Sequence, residues 1–258
     1  GGLPEGRLSA VVGGPGTGKS IFAAQYLRHR YASDGEPGIL VSFEESPASI
    51  AANLAGFDWR LDELPEGAIT FVELRLPSDV EVSGDFDISA LLAGLSARVA
   101  ASGARHVVFD GLDVLIDALD DYRLERREVA RINDWVRTEG LTGVLTVKAD
   151  WSGDGNARRA DLIQYVTDAV VLLENKLHAA DLSRTLRIVK YRGSGFAANA
   201  VPVVIGSSGM QVIPAGTARE GYQVFAERVS TGVARLDAVL GGGPLRASSI
   251  LVTGAPGT

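Results

Sequence analysis

Four short stretches of this 258-residue chain combine residue types and spacings that can do chemistry. The first, GGPGTGKS at 13–20, satisfies G-x-x-x-x-G-K-[ST], follows an apolar run and opens a helix-like segment. Glycines in such a loop let backbone N–H groups converge on phosphates, and the helix start adds its positive dipole end. Lys19 would then neutralise the outer phosphates of a nucleoside triphosphate while the Ser20 hydroxyl would hold Mg2+. The phosphate cradle would run through Gly14, Pro15, Gly16, Thr17, Gly18, Lys19, Ser20 and Ile21. The plainer alternative is a glycine-rich turn that binds nothing.

The second stretch, HVVFDG at 106–111, carries Asp110 at the end of a buried run, where a P-loop protein needs a carboxylate to steady Mg2+. The third, VSFEES at 41–46, sets Glu44 and Glu45 directly after another apolar run. Glu44 is the expected base for an attacking water and Glu45 its assistant. The alternative is a pair of solvated glutamates capping a helix that starts near Pro47. The fourth, RIVKYRGSG at 187–195, puts Lys190 and Arg192 on one face of a strand. These are either ordinary solvated charges or cations that reach a phosphate across a subunit boundary; the residues alone leave both readings open.

Other charged and aromatic residues earn plainer expectations. Lys148 ends the apolar run Val144–Val147, where a sensor of the terminal phosphate could sit, but surface exposure is the expectation. Lysine is scarce: Lys19, Lys148, Lys176 and Lys190 stand among 25 basic residues, the rest being arginine, which hints at a need for a compact charge. YRLERREVARIND at 122–134 reads as a salt-laced helix surface. The scattered histidines suggest no metal site, and Trp59, Trp135 and Trp151 fit packing better than base stacking, with Trp151, in the loop, left open between the two.

Elements that alternate in type must position these residues. Buried strands are expected at Leu8–Val12, Ile39–Phe43, Ile69–Leu74, Val107–Asp110 and Val144–Val147. Helices are expected from Ser20, from an N-cap at Asp87 and over about 122–139. The fold class is therefore α/β, a mostly parallel sheet with helices on both faces. Strand-like runs at Ala169–Leu173, Thr185–Tyr191, Val201–Ile205 and Gln211–Ile213 should add antiparallel strands near the C-terminal end. DWSGDGNARRAD at 150–161 reads as a polar loop.

Composition narrows the classes. Hydrophobic residues make up 46% and charged ones 22%, as in a core-forming soluble chain. There is no cysteine, no apolar run long enough to span a bilayer and no secretory signal, so a cytoplasmic location is expected. A net charge of −7 argues against wrapping nucleic acid. Near its end the chain repeats itself: GAPGT at 254–258 mirrors GGPGT at 13–17, and the same offset lays Gly242-Gly243 on Gly1-Gly2. Residues 1–213 are read as one domain, 214–229 as a linker, and 230–258 as the opening strand and half-loop of a sibling.

In their order, GGLPEGR, GGPGTGKS, VSFEESP, FDISALL, FDGLDVL, VTDAVVLL, LRIVKYRGS and RVSTGVARLDAVLGGG resemble the KaiC family of RecA-like P-loop ATPases over essentially the whole chain. The resemblance implies hexameric rings with ATP and Mg2+ between neighbouring subunits and catalytic carboxylates at Glu44 and Glu45. It also implies that Lys190 and Arg192 reach the adjacent subunit's nucleotide, with Tyr191, Gly193 and Ser194 nearby. The family often has serine after the magnesium aspartate, where this chain has Gly111. Ser/Thr autokinase activity would belong to the sibling domain of a longer parent. The expected function is thus a slow ATPase switch or timer, with a regulatory protein partner possible. The alternative is a RecA- or RadA-like recombination ATPase that binds DNA.

Overall fold

The computed structural model describes residues 2–74, 88–119, 121–148, 157–178, 181–213 and 225–254. By contact the chain divides into two units, Gly1–Pro214 and Ala215–Thr258, which are taken separately.

The first unit is built on strands β1 (Leu8–Gly13), β2 (Gly38–Ser42), β3 (Ile69–Glu73), β4 (His106–Asp110), β5 (Thr142–Lys148) and β6 (Ala169–His178). These run parallel in the order β3-β2-β4-β5-β1-β6. Strands β7 (Asp181–Tyr191), β8 (Val201–Gly206) and β9 (Gly209–Val212) extend the sheet antiparallel to nine strands. Its helices are α1 (Lys19–Asp34), α2 (Pro47–Leu54), α3 (Ser89–Ser102), α4 (Leu112–Asp117), α5 (Tyr122–Thr138) and α6 (Ala157–Val166).

Two cores explain why the central strands read as unbroken apolar runs. Ala10 and Val12 of β1 point into one core with α3, α5 and α6, while Val11 points into the other with α1 and α2. Alternate residues on a strand face opposite sides, so a strand covered on both sides needs apolar residues at every step. The expected mostly parallel sheet with antiparallel additions is the architecture found.

Several expectations need correction. The polar stretch at 150–161 is not loop throughout, because Ala157–Asp161 form the first turns of α6. Arg158 lies over the Tyr122 ring at 4.3 Å, and the buried Leu162, Ile163 and Val166 anchor the helix to the core. The segment 122–134 is not all salt-laced surface, since Glu128 is fully buried. Its carboxylate accepts from the Ile88 N–H (3.2 Å) at the start of α3 and is held by Arg127 (2.7 Å) and Arg131 (3.3 Å). Asp87 and Trp151 lie outside the described residues.

In the second unit, α7 (Ala234–Val239) is followed by a glycine turn, and Arg228 bridges to Leu245. The expected linker at 214–229 lies outside the described residues up to 224, and Val229 N–H bonds to the Pro244 carbonyl at 2.8 Å. Ile250–Val252, read as an opening strand, forms none: Leu251 and Val252 are 87% and 88% exposed. β1 is extended because β5 and β6 flank it, and among the described residues no strand flanks 250–252. Among the described residues no helix is long and apolar enough to cross a membrane.

Candidate functional site

The C-terminal ends of the parallel strands gather the charged residues, which is where open α/β sheets bind ligands. β1 ends in the loop Gly14–Gly18, and α1 begins at Lys19. Gly18, the N-cap, has φ +98°, a backbone conformation that favours glycine, and it packs close to the side-chain ends of Ile205 and Met210. Thr17 is buried and its hydroxyl donates to the Gly14 carbonyl at 2.9 Å, closing the loop on itself. Lys19 Nζ donates to the same carbonyl at 2.9 Å. Burial lowers the Lys19 pKa from its ordinary value, opposed by the negative fields of Asp113, Asp110 and Glu44.

Beside this loop, Ser20 Oγ donates to Asp110 Oδ1 at 3.1 Å. Thr146 Oγ1 on β5 donates to the same oxygen at 2.5 Å and accepts the Gly111 N–H at 2.9 Å, which fixes the carboxylate. Burial pushes the Asp110 carboxyl up, against these two hydroxyl donors. A carboxylate and a hydroxyl within hydrogen-bond reach form a small, hard oxygen pair that suits Mg2+, an ion that takes its other ligands from water and phosphate. Among the described residues no cluster of three or more His, Cys, Asp or Glu offers an all-protein metal cage. A cavity of about 260 Å3 lined by Ser20, Ile21, Glu45, Asn53 and Asp110 opens beside the pair.

Glu44 and Glu45 lie at the same edge but are held differently. The turn that carries them is fixed by Ser42 Oγ, which accepts the Glu45 N–H at 3.0 Å. Glu45 accepts from Ser49 Oγ (2.6 Å) and Asn53 Nδ2 (2.7 Å) on α2, while Ser46 caps that helix at the Ser49 N–H. Glu44 instead lies against Gly111, and burial followed by the charges of Asp113 and Asp110 raises its pKa. The helix expected near Pro47 is therefore present, and its first turns engage Glu45 rather than Glu44.

Lys190 and Arg192 are elsewhere. Because β7 runs antiparallel to β6, Tyr191 pairs with Ala169 at the start of β6, whereas Gly13 pairs with Leu173 further along it. The pair thus stands at the opposite edge of the sheet from its own P-loop. Lys190 Nζ donates to the carbonyls of Thr167 (2.6 Å) and Gln164, closing the C-terminal end of α6. Burial, then the Arg192 charge, lowers its pKa. Arg192 is 51% exposed and 3.6 Å from the buried Asp168 carboxylate. Tyr191 Oη donates to the Gly2 carbonyl (2.9 Å), and Gly193 and Ser194 follow on an exposed turn.

Four site residues escaped the sequence reading. Thr146 and Ser42 were visible only as polar residues inside apolar strands. Asp113, 6% exposed on α4, accepts the Lys148 N–H at 2.8 Å and acts on both Lys19 and Glu44. Asn175 Nδ2 donates to the Pro15 carbonyl at 3.4 Å, bracing the loop from β6.

A glycine-rich loop opening α1, with a hydroxyl-held aspartate one strand removed from it in this sheet order, defines a RecA-like P-loop domain. The family model described as "ATPase: KaiC" matches residues 1–217, and the chain belongs to that family. It is 37% identical over 261 residues to the circadian clock protein KaiC2 of a Synechocystis species, covering all of this chain and 45% of that protein. Against the circadian clock oscillator proteins KaiC of Prochlorococcus marinus and Thermosynechococcus vestitus the identity is 35% and 36% over 260 residues, covering 52% and 50% of them. The chain spans about half the length of the relatives it matches.

Proposed function

We propose that this chain is a Mg2+-dependent ATPase that cleaves ATP to ADP and phosphate at the boundaries between subunits of a head-to-tail ring. One observation carries the reading: Lys19, Ser20, Glu44 and Asp110 converge at one edge of the sheet, while Lys190 and Arg192 stand at the other. Cations on the far edge cannot serve their own P-loop, but a heterologous interface brings that edge against the next subunit's nucleotide. The family resemblance makes the ring six-membered.

Within one site the roles divide as follows. Backbone N–H groups from Gly14 to Ile21 and the start of α1 hold the phosphates, and Lys19 exchanges the Gly14 carbonyl for phosphate oxygens. Ser20 and Asp110 would hold Mg2+, which when bound supplies charge neutralisation across the outer phosphates. Glu44, made more basic by burial and by its acidic neighbours, orients water and accepts its proton. Glu45 assists by tying the turn to α2, which keeps Glu44 in place. From the neighbour, Arg192 and, on exchanging the Thr167 and Gln164 carbonyls for phosphate oxygens, Lys190 meet the developing charge, flanked by Tyr191, Gly193 and Ser194. The relatives are named clock proteins, and on that ground turnover is read as a slow cytoplasmic switch acting on a regulatory protein partner.

Mixing two inactive variants tests the shared site. Glu44→Gln and Arg192→Ala should each hydrolyse ATP poorly alone. Combined in equal amounts and allowed to exchange subunits, they should regain activity, because about one interface in four then unites an intact Glu44 with an intact Arg192. Phosphate release that stays at the level of the separate variants would rule out the trans arrangement.

A further inference from the structure

We propose that Lys148 is a second phosphate-binding cation supplied by the same subunit as the P-loop, one that contacts the terminal phosphate and so distinguishes ATP from ADP. The inference rests on the nucleotide reading above and adds a residue to it.

Position is the first argument. The neighbouring strands β2, β4, β5 and β1 end in Ser42, Asp110, Lys148 and Gly13. Ser42 is in register with Asp110, and Gly13 with Lys148. Lys148 therefore lies between the strand bearing the magnesium-type aspartate and the strand that delivers the phosphate loop, about 4.8 Å from the latter by strand spacing. Any group bound across both strands passes over β5.

The second argument is how firmly the residue is seated. Its N–H donates to Asp113 Oδ1 at 2.8 Å, and its carbonyl accepts from Arg159 Nη1 at 3.3 Å. Arg159 is in turn paired with Asp117, and Asp113 and Asp117 both belong to α4, which follows Asp110 and Gly111 directly. The last residue of a strand thus has both backbone groups held by side chains, so its direction is fixed from two sides. The side chain itself is exposed, and among the described residues its ammonium has no ion-pair partner.

The third argument is charge. Asp110, Asp113 and Glu44 act on Lys19, and Lys148 acts on both Lys19 and Glu44. Even with Mg2+ bound, a triphosphate beside Asp110, Asp113 and Glu44 brings more negative charge to this edge than Lys19 offsets from its own subunit. A compact ammonium at the β5 terminus meets the outermost oxygens, which ADP lacks. In a chain that uses arginine almost throughout, two of its four lysines then meet one ligand from the P-loop's own subunit.

The test is a pair of titrations with the full chain in a Glu44→Gln background, so that ATP survives the measurement. Lys148→Met should weaken ATP binding about tenfold and change ADP binding less than about twofold, the loss of one charge-assisted bond to the terminal phosphate alone. Lys148→Arg should restore most of the difference. Equal weakening of both nucleotides would overturn the assignment, as would no change in either. Lys19→Ala is the control for the underlying reading. If it abolishes binding while Lys148→Met leaves the ATP-to-ADP ratio unchanged, only the Lys148 assignment fails. If Lys19→Ala leaves ATP affinity intact, the nucleotide reading fails with it.

Discussion

Gly111 and Glu44 share a boundary with almost no slack. Gly111 has φ +77°, and a Cβ built on it would lie 3.1 Å from Glu44 Cγ and 3.3 Å from Cδ. A side chain here, such as the serine that the family resemblance leads one to expect, would therefore press on the proposed base and shift it by a few tenths of an ångström. A non-glycine residue in the left-handed region also costs about 1–2 kcal/mol. Gly111→Ala should accordingly lower the melting temperature by several degrees and reduce kcat more than nucleotide affinity. The loss in kcat follows from the shifted carboxylate, and a wild-type kcat in a destabilised protein would disconnect Gly111 from Glu44. Ser42 and Thr146 act at the same scale: each spends a hydroxyl inside a buried strand to orient a carboxylate-bearing turn.

At the scale of elements, α1 is joined to the sheet by its buried Ala23, Ala24 and Leu27 and by a polar knot toward its far end. His106 on β4 is buried, meets Tyr26 Oη through Nδ1 at 2.9 Å and Glu36 through Nε2 at 2.7 Å, and Arg30 of α1 binds Glu36 at 2.5 Å. In the neutral ring Nε2–H donates to Glu36 and Nδ1 accepts from Tyr26, and Arg30 Nε, 3.2 Å from Nε2, is left to the Glu36 side of the knot. Burial lowers the His106 pKa, with Glu36 opposing, and the hydrogen bond from His106 then that from Arg30 lowers the Glu36 pKa. In both cases the unfolded chain binds the extra proton, so stability is full above the ordinary histidine value of 6.5 and falls as pH drops below it. Melting temperatures taken from neutral to mildly acidic pH should fall for the wild type and fall less for His106→Gln. Parallel curves would mean that the knot does not titrate. Strands β1, β2, β4 and β5 were legible in the sequence because burial on both faces demands unbroken apolar runs. The P-loop, Asp110 and the two glutamates were legible because their chemistry fixes residue type and spacing. α6 was not, because its apolar anchors Leu162, Ile163 and Val166 come after a stretch whose glycines, charges and asparagine read as loop. Asp113 and Glu128 were hidden for another reason: a buried carboxylate looks like a surface one until its partners, here the Lys148 and Ile88 N–H groups, are brought to it by other elements.

Across the first unit as a whole, the sheet separates the two proposed half-sites, and Asp168 lies at the second of them. It is 2% exposed, its N–H donates to the Leu8 carbonyl at 2.8 Å, and its own carbonyl accepts the Arg192 N–H at 2.9 Å. Its carboxylate gathers Arg137 at 3.0 Å and Arg7 and Arg192 at 3.6 Å, so the end of α5 and the residues bordering β1 and β7 meet on one buried charge. The arginines are about half exposed, so water screens each pair, and the charge contributes more to aiming Arg192 than to stability. Asp168→Asn should therefore cost only about 1–3 kcal/mol of stability yet sharply reduce ATP turnover. Its place in the site can be read from complementation. If Asp168 acts by positioning Arg192, Asp168→Asn behaves as a defect of the donating edge: mixing it with Glu44→Gln restores phosphate release, and mixing it with Arg192→Ala does not. Recovery with Arg192→Ala but not with Glu44→Gln would put the defect in the P-loop half and refute the positioning role. The two-edge geometry makes this assignment possible, because the residues proposed to hold the nucleotide and those proposed to reach for the neighbour's stand at opposite edges of the sheet.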